Sequence, residues 1–295
     1  MRLFGLERGF PLVPLIAFTP FVIALAAAAF VIAALLRRRT AALVAAVAGL
    51  VLALLVAPRA LGGPTEPDGT RGPTLRVLTV NTRYGRASPE AIVALVRRTR
   101  ADVLSVQELT PNLIVGLDRA GLGDDMPFYA LEPKLGADGT GMYARMRLQP
   151  APRPVGTQSA MAAAATRIRG GPMVQLLAVH PAAPDPGAVD EWRDDLNALP
   201  DAEPHGRVHV LAGDFNATLD HAELRQLIGT GYEDAASVVG AGLHGTWPEG
   251  RKVPPAVVID HVLADKRVGV RAVSVHTIPS TDHRAVFAEL VLPRR

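Results

Sequence analysis

The chain has 295 residues, 49% of them hydrophobic, and no cysteine, so it can bury one large core while disulfides and thiolate metal sites are excluded. Its net charge of +3 divides unevenly: residues 1–73 carry 7 Lys+Arg against 3 Asp+Glu, and residues 74–295 carry 24 against 25. The basic excess belongs to the first quarter, and the remainder lacks the electrostatic footprint of a non-specific DNA binder.

Residues 12–36 (LVPLIAFTPFVIALAAAAFVIAALL) carry no charge. As one helix they would reach about 37 Å, enough to cross a hydrocarbon core of about 30 Å with some tilt. A second uncharged run covers residues 41–57. Between them lie Arg37, Arg38 and Arg39, a short basic loop that the positive-inside rule assigns to the cytoplasm. Arg2 and Arg8 pull the other way, but three adjacent arginines outweigh them. A secretory signal has a shorter apolar region and no second run behind it, and a soluble helix pair would show polar faces. Residues 1–57 are therefore expected to be a membrane anchor of two transmembrane helices, 12–36 and 41–57. Everything after Pro58 then lies outside the cytoplasm, in a multi-pass protein of the cell membrane.

Residues 58–73 are rich in Gly and Pro and read as a linker that holds the next domain near the membrane. From residue 74 to 295 the pattern is that of an α/β domain. LRVLTVN predicts a first strand, and Ser88-Pro89-Glu90 predicts a helix start with serine as cap and proline in the first turn. ADVLSVQE predicts a second strand. Further strands are expected at 173–179, 208–213, 257–263, 268–275 and 285–292, with helices near 187–199 and 221–228.

Polar residues recur at the ends of these strands: Asn81 after the first, Glu108 after the second, His180 after QLLAV and Asp214 after VHVLAG. In layered α/β domains such ends converge with loops to form sites. In Gly213-Asp214-Phe215-Asn216-Ala217, glycine allows close backbone approach, and Asp214 and Asn216 alternate along one face. Ser280-Thr281-Asp282-His283-Arg284 pairs a carboxylate with an acid–base imidazole. Asp260 lies in an apolar strand, where a charge is costly unless paired. An Asx-rich turn would account for the first motif alone, but not for the whole series.

GDFNA, IDHVLAD, STDH, VQE and Asn81 occur in an order that resembles the endonuclease/exonuclease/phosphatase superfamily, over roughly residues 74–292. The resemblance implies a four-layered α/β sandwich with two packed mixed β-sheets, here preceded by the transmembrane hairpin. It implies Glu108 as the principal Mg²⁺ ligand, assisted by Asn81, with Mn²⁺ as the alternative ion. Asp282 would touch the same metal or orient a histidine. His283 would be the general base or would bind the scissile phosphate. His180 would hydrogen-bond the phosphate or assist the leaving oxygen, and Asp260 would buttress His180. Asp214 would orient the attacking water, and Asn216 would hold the phosphate. Mg²⁺ prefers oxygen ligands and neutralises phosphoryl charge, which suits this set. The family's usual His-Leu is His180-Pro181 here, so a different local loop is expected.

His205 and His209 read as structural or exposed, and His221 as belonging near a helix start, with metal binding as the alternative. His244 and Trp247, in LHGTWP, are candidates for facing the substrate, with simple packing as the alternative. Arg83 and Arg145 read as surface arginines, with phosphate contact as the alternative. The tether points to a phosphatase or phosphodiesterase acting on a membrane lipid or lipid-linked (pyro)phosphate. An anchored endo/exonuclease acting on extracellular DNA is the second reading. A non-catalytic membrane sensor or scaffold is the third, and it predicts loss of the metal-site residues, all of which are present.

Overall fold

Short apolar runs rich in Val and Leu form twelve strands among the residues that the structure, a computed structural model, describes: 5, 7–66, 72–203, 205–251 and 253–294. β1 (Thr74–Asn81), β2 (Val103–Gln107), β3 (Phe128–Glu132) and β4 (Thr140–Ala144) build one sheet. β5 (Gln149–Pro150), β6 (Ala163–Arg167), β7 (Met173–Val179), β8 (Val208–Asp214), β9 (Tyr232–Asp234) and β10 (Asp260–Asp265) build a second. β11 (Gly269–Thr277) and β12 (Arg284–Val291) return to the first, giving the order β11-β12-β1-β2-β4-β3 beside β5-β6-β7-β8-β10-β9. Each sheet has one parallel pair at its centre, β1 with β2 and β7 with β8, and antiparallel pairs elsewhere.

The sheets pack face to face over Leu75, Val77, Met142, Leu176, Val210 and Leu290. Helices Pro89–Thr99 and Pro111–Arg119 cover the outer face of the first sheet. Ser88 and Thr110 cap them, each side chain accepting from a backbone N–H three residues on. Helices Val189–Asn197 and Ala222–Gly229 cover the second sheet around Trp192 and Phe215. This is the expected four-layered arrangement. One expected strand moves: 257–263 begins as a strand only at Asp260, because Val257 instead bridges to Trp247.

The N-terminal run is not one helix of 25 residues. It divides into Leu12–Ile16 and Thr19–Leu35. Pro20 has no N–H to give to the carbonyl of Ile16, and the Thr19 hydroxyl donates to that carbonyl at 2.6 Å instead. The short first helix belongs to the α/β domain: Val13 is fully buried beside Trp192 and Leu224, and its carbonyl meets His221 Nε2 at 3.0 Å. The Glu7 carboxylate accepts from the N–H of Ala222 at 2.7 Å. Arg2 lies outside the described residues.

Helix Thr19–Leu35 packs against Arg39–Val56, with Arg37 and Arg38 at the turn between them. Residues Arg39–Ala60 are long and apolar enough to cross a membrane by length and composition, and Thr19–Leu35 is shorter. The expected linker is docked, not free. Arg59 makes a bidentate pair with buried Asp220 at 2.6 and 2.8 Å, and Thr65 pairs with the backbone of Val270. Its residues 67–71 lie outside the described residues.

Candidate active site

The candidate side chains meet at one edge of the sandwich because of strand direction. β1 and β2 run parallel, so Asn81 and Glu108 arrive together. β7 and β8 run parallel and bring His180 and Asp214 to the matching edge of the second sheet. β10 and β12 run the opposite way, so their starts lie there: Asp260 is in register with Asp214, and His283 precedes the strand that pairs with β1. Gly213 permits a close passage of β8 beside β7, since a Cβ there would lie 1.9 Å from the Val179 carbonyl oxygen.

The rim is held by hydrogen bonds. Asn81 Nδ2 donates to Glu108 Oε1 at 3.0 Å and to Asp214 Oδ2 at 2.9 Å, joining the two sheets. Asn81 Oδ1 accepts from the N–H of Arg83, and Glu108 Oε2 accepts from the N–H of Tyr84 at 2.6 Å. Asp214 Oδ1 accepts from the N–H of Asn216 at 2.8 Å. Arg83, Tyr84, Glu108, Asn216 and Ser280 have φ between 47° and 70°. Non-glycine residues rarely adopt this left-handed region, so backbone strain is concentrated around the site and held there by these bonds.

Asp260 serves His283, not His180. His283 Nδ1 lies 3.0 and 3.2 Å from the two Asp260 oxygens, and His283 Nε2 lies 3.7 Å from Asp214 Oδ2. Asp260 begins the strand next to β8, on the side away from β7, so its carboxylate faces the His283 loop and not the end of β7. His180 Nε2 stands 3.9 Å from Asp214 Oδ2, and its buried Nδ1 has no protein partner. Burial works against a charged imidazole at His283, but the carboxylates of Asp260 and Asp214 outweigh it and hold the group up at about 9. Burial, and then the charge of Asp260, push Asp214 above the usual carboxylate range, with His283 and His180 pulling the other way.

Glu108, His180, Asp214, Asn216, Trp247, Asp282 and His283 line a cleft of about 750 Å³. Asn81 and Asp260 are buried just behind it and reach it through the groups they hold. Trp247 has its ring 6.3 Å from that of His283, whereas His244 is exposed. Arg83 lines the cleft with Nε 3.6 Å from Asp282 Oδ1. Arg145 is structural, its guanidinium donating to the carbonyls of Ala101 and Asp125. His205 is exposed, His209 contacts the Tyr232 hydroxyl, and His221, which reaches the cleft lining, is engaged by the carbonyl of Val13.

The sequence reading missed three supports. The Thr281 hydroxyl donates to the carbonyl of Asn81 and accepts from the N–H of His283. The Thr246 hydroxyl accepts from the N–H groups of Ile259 and Asp260. Buried Asp195 accepts from the N–H groups of Gln158 and Ala182, fixing the loop after His180-Pro181. Its signal was a carboxylate on the buried face of helix Val189–Asn197.

The donor set suits a hard divalent cation. Each Glu108 oxygen accepts a single N–H and keeps lone-pair capacity toward the cleft, which Asp282 also lines. Asp214, Asp260 and His283 form a second cluster, with ligand atoms all within 4.8 Å of one another. There His283 stands between the two carboxylates, hydrogen-bonded to Asp260 through Nδ1 and 3.7 Å from Asp214 Oδ2 through Nε2.

Residues 78–283 match the model of the Endonuclease/Exonuclease/phosphatase family. No curated protein matches the chain in sequence. Among solved structures, a humanized D. rerio TDP2 carrying 14 mutations is similar at 17% identity and TM-score 0.60, over 74% of this chain and 98% of that one. D. rerio TDP2 complexed with single-strand DNA product is similar at 16% identity and TM-score 0.57, over 74% and 98%. An endonuclease/exonuclease/phosphatase from Beutenbergia cavernae is similar at 18% identity and TM-score 0.55, over 74% and 72%. These likenesses are of fold. The family match spans both sheets and every strand end of the rim, and the chain belongs to the endonuclease/exonuclease/phosphatase family of metal-dependent phosphoester hydrolases.

Proposed function

We propose that the chain is a membrane-anchored phosphatase or phosphodiesterase that acts outside the cytoplasm on a lipid-linked phosphate or pyrophosphate. One observation carries this reading: the polar rim opens into a cleft that Phe10, Pro14, Ala17 and Phe18 also line, and this segment leads directly into an apolar helical hairpin. The hairpin is bare. Leu25, Leu35, Leu43, Val44, Leu50 and Leu54 are each between 61% and 77% exposed. Such a continuous apolar surface is characteristic of a membrane or partner contact. At 17 and 18 residues its helices measure about 25 and 27 Å. That is close to the hydrocarbon thickness, with the arginine turn at the far end.

Glu108 and Asp282 would hold Mg²⁺ or Mn²⁺, with Asn81 orienting Glu108 through its amide. The cation would neutralise charge on the phosphoryl oxygens and stabilise the leaving group. Asp260 fixes His283 through Nδ1 and leaves Nε2 toward the cleft, where the imidazolium would donate to a phosphate oxygen and, once it has lost its proton, the neutral ring would take one from water. Asp214 would orient the water, and His180 and Asn216 would hold the phosphate. Asn216 Nδ2 already donates to the carbonyl of Pro181, so it also fixes the His180 loop.

Nuclease activity is the second reading, favoured by the likeness to TDP2 complexed with single-strand DNA product. The near-neutral charge of residues 74–295 weighs against it. The test is a panel on the full chain in detergent, with and without EDTA: polyprenyl pyrophosphate, sphingomyelin, inositol phosphates, and single- and double-stranded DNA. EDTA-sensitive cleavage of a lipid-linked substrate is the expected result, and cleavage confined to DNA overturns the substrate assignment. A reporter fused after Arg295 should be active outside the cytoplasm; activity only inside overturns the topology.

A further inference from the structure

We infer that residues Phe10–Phe18 form a wall of the catalytic cleft and seat the hydrocarbon chain of the substrate beside the reacting phosphate. The inference rests on the hydrolase reading above and adds a subsite to it.

Phe10, Pro14, Ala17 and Phe18 line the same cleft as Glu108 and His283. Ala17 packs with Val257 and Ile259, and Phe18 and Trp247 lie against that group. Trp247 in turn stands 6.3 Å, ring to ring, from His283. An unbroken apolar path therefore runs from the start of helix Thr19–Leu35 to the imidazole. The path is fixed in place. Val13 is fully buried in the domain core, its carbonyl meets His221 Nε2 at 3.0 Å, and Glu7 accepts from Ala222 N. The break before Pro20 turns the segment onto the domain and leaves the next helix free to depart from it.

The occupant follows from the chemistry of the two walls. One is polar and suits a phosphoryl group, and the other offers rings and aliphatic carbon with no charge. Among the described residues lining the cleft, Arg83 is the only Lys or Arg, and it already faces Asp282. A nucleic-acid strand would need more cations along its track. The cleft volume of about 750 Å³ exceeds what a phosphate alone requires and falls in the range of pockets for drug-sized ligands. Leu12 and Leu15, on the same short helix, are exposed, so apolar surface is present on both sides of the segment that walls the cleft. A chain lying along Phe10 and Phe18 would leave the cleft into lipid without crossing water.

The test compares methyl and decyl p-nitrophenyl phosphate diesters as substrates of the full chain, at one fixed detergent concentration. The wild type should prefer the decyl ester, by kcat/KM, by at least tenfold. Phe10→Ser and Phe18→Ala should each reduce that preference several-fold, and the double variant should reduce it at least tenfold. The readout is a ratio, so a general loss of folding or activity, which lowers both rates alike, does not mimic the effect. Trp247 gives a second readout without turnover: a decyl phosphate brominated on its chain should quench its fluorescence, and the double variant should weaken that quenching. Equal rates on both esters in the wild type, or a preference that survives the double variant, overturns the subsite and leaves the hydrolase reading standing. EDTA-insensitive release, or no release from either ester, overturns both.

Discussion

Replacing Asp260 with Asn tests which histidine the buried carboxylate serves. Both Asp260 oxygens lie within 3.2 Å of His283 Nδ1, and both residues are buried, so one charge-assisted hydrogen bond is weakened without a change of shape. Such bonds contribute about 1.5–3 kcal/mol, which corresponds to roughly a 10- to 150-fold loss of kcat if the bond orients the imidazole in the transition state. The effect should act only through His283. Asp260→Asn added to His283→Ala should then cost little beyond His283→Ala alone, whereas added to His180→Ala it should multiply the loss. The assay is the rate of p-nitrophenol release at saturating Mg²⁺ for the wild type, three single and two double variants. If Asp260→Asn multiplies the loss in the His283→Ala background and adds nothing in the His180→Ala background, Asp260 buttresses His180 and the assignment fails.

Asp195→Ala leaves two backbone N–H groups, of Gln158 and Ala182, without their acceptor. The expected cost is about 2–4 kcal/mol, read as a lower Tm, with a raised KM because both residues line the cleft; an unchanged Tm contradicts it. The buried pair of Asp234 and His261, 3.0 Å apart, predicts a pH-dependent contribution. Burial opposes the charge on each, but their hydrogen bond prevails, lowering Asp234 below 3.8 and raising His261 above 6.5. Stability from Asp234 is lost as pH falls below 3.8, and stability from His261 is lost as pH rises above 6.5. Asp234→Asn, which keeps an acceptor for the N–H of Ser237, should therefore lower Tm more at pH ~5.5 than at pH ~8.5. A difference independent of pH refutes the pairing. Gly213→Ala should fail to give soluble protein or lose most of its thermal stability, because the new methyl group collides with the Val179 carbonyl; a melting curve near that of the wild type contradicts this.

Central strands were legible where a β-branched run was bounded by turns, as in β1, β2, β7, β8 and β12. β6 was not, because AAATR carries helix-forming alanines that are chosen here for the narrow space between sheets: Ala164 is 1% exposed. β5 and β9 are two and three residues long and offer too short a pattern, while β3 (FYALE) and β4 (TGMYA), five residues each like β2, lack its repeated valines. The rim residues were legible because strand direction delivers them, but which carboxylate meets which histidine was not. That depends on β10 lying outside β8, a sheet order that no local motif records. The N-terminal run read as one helix because composition alone cannot register a missing amide. Pro20 breaks it, and the contacts of Glu7 and Val13 with residues more than 200 positions away draw the first segment onto the domain.

The proposed hydrolysis requires that Glu108 hold a cation at the rim. The direct measurement is p-nitrophenol release from bis-p-nitrophenyl phosphate by the full chain, for the wild type and Glu108→Gln, with EDTA and after Mg²⁺ is restored. The expected result is activity that EDTA abolishes and Mg²⁺ recovers, and a loss on the order of a hundredfold or more in Glu108→Gln, which removes the charge that would anchor the ion while keeping the shape. Activity that persists in both EDTA and Glu108→Gln would contradict it.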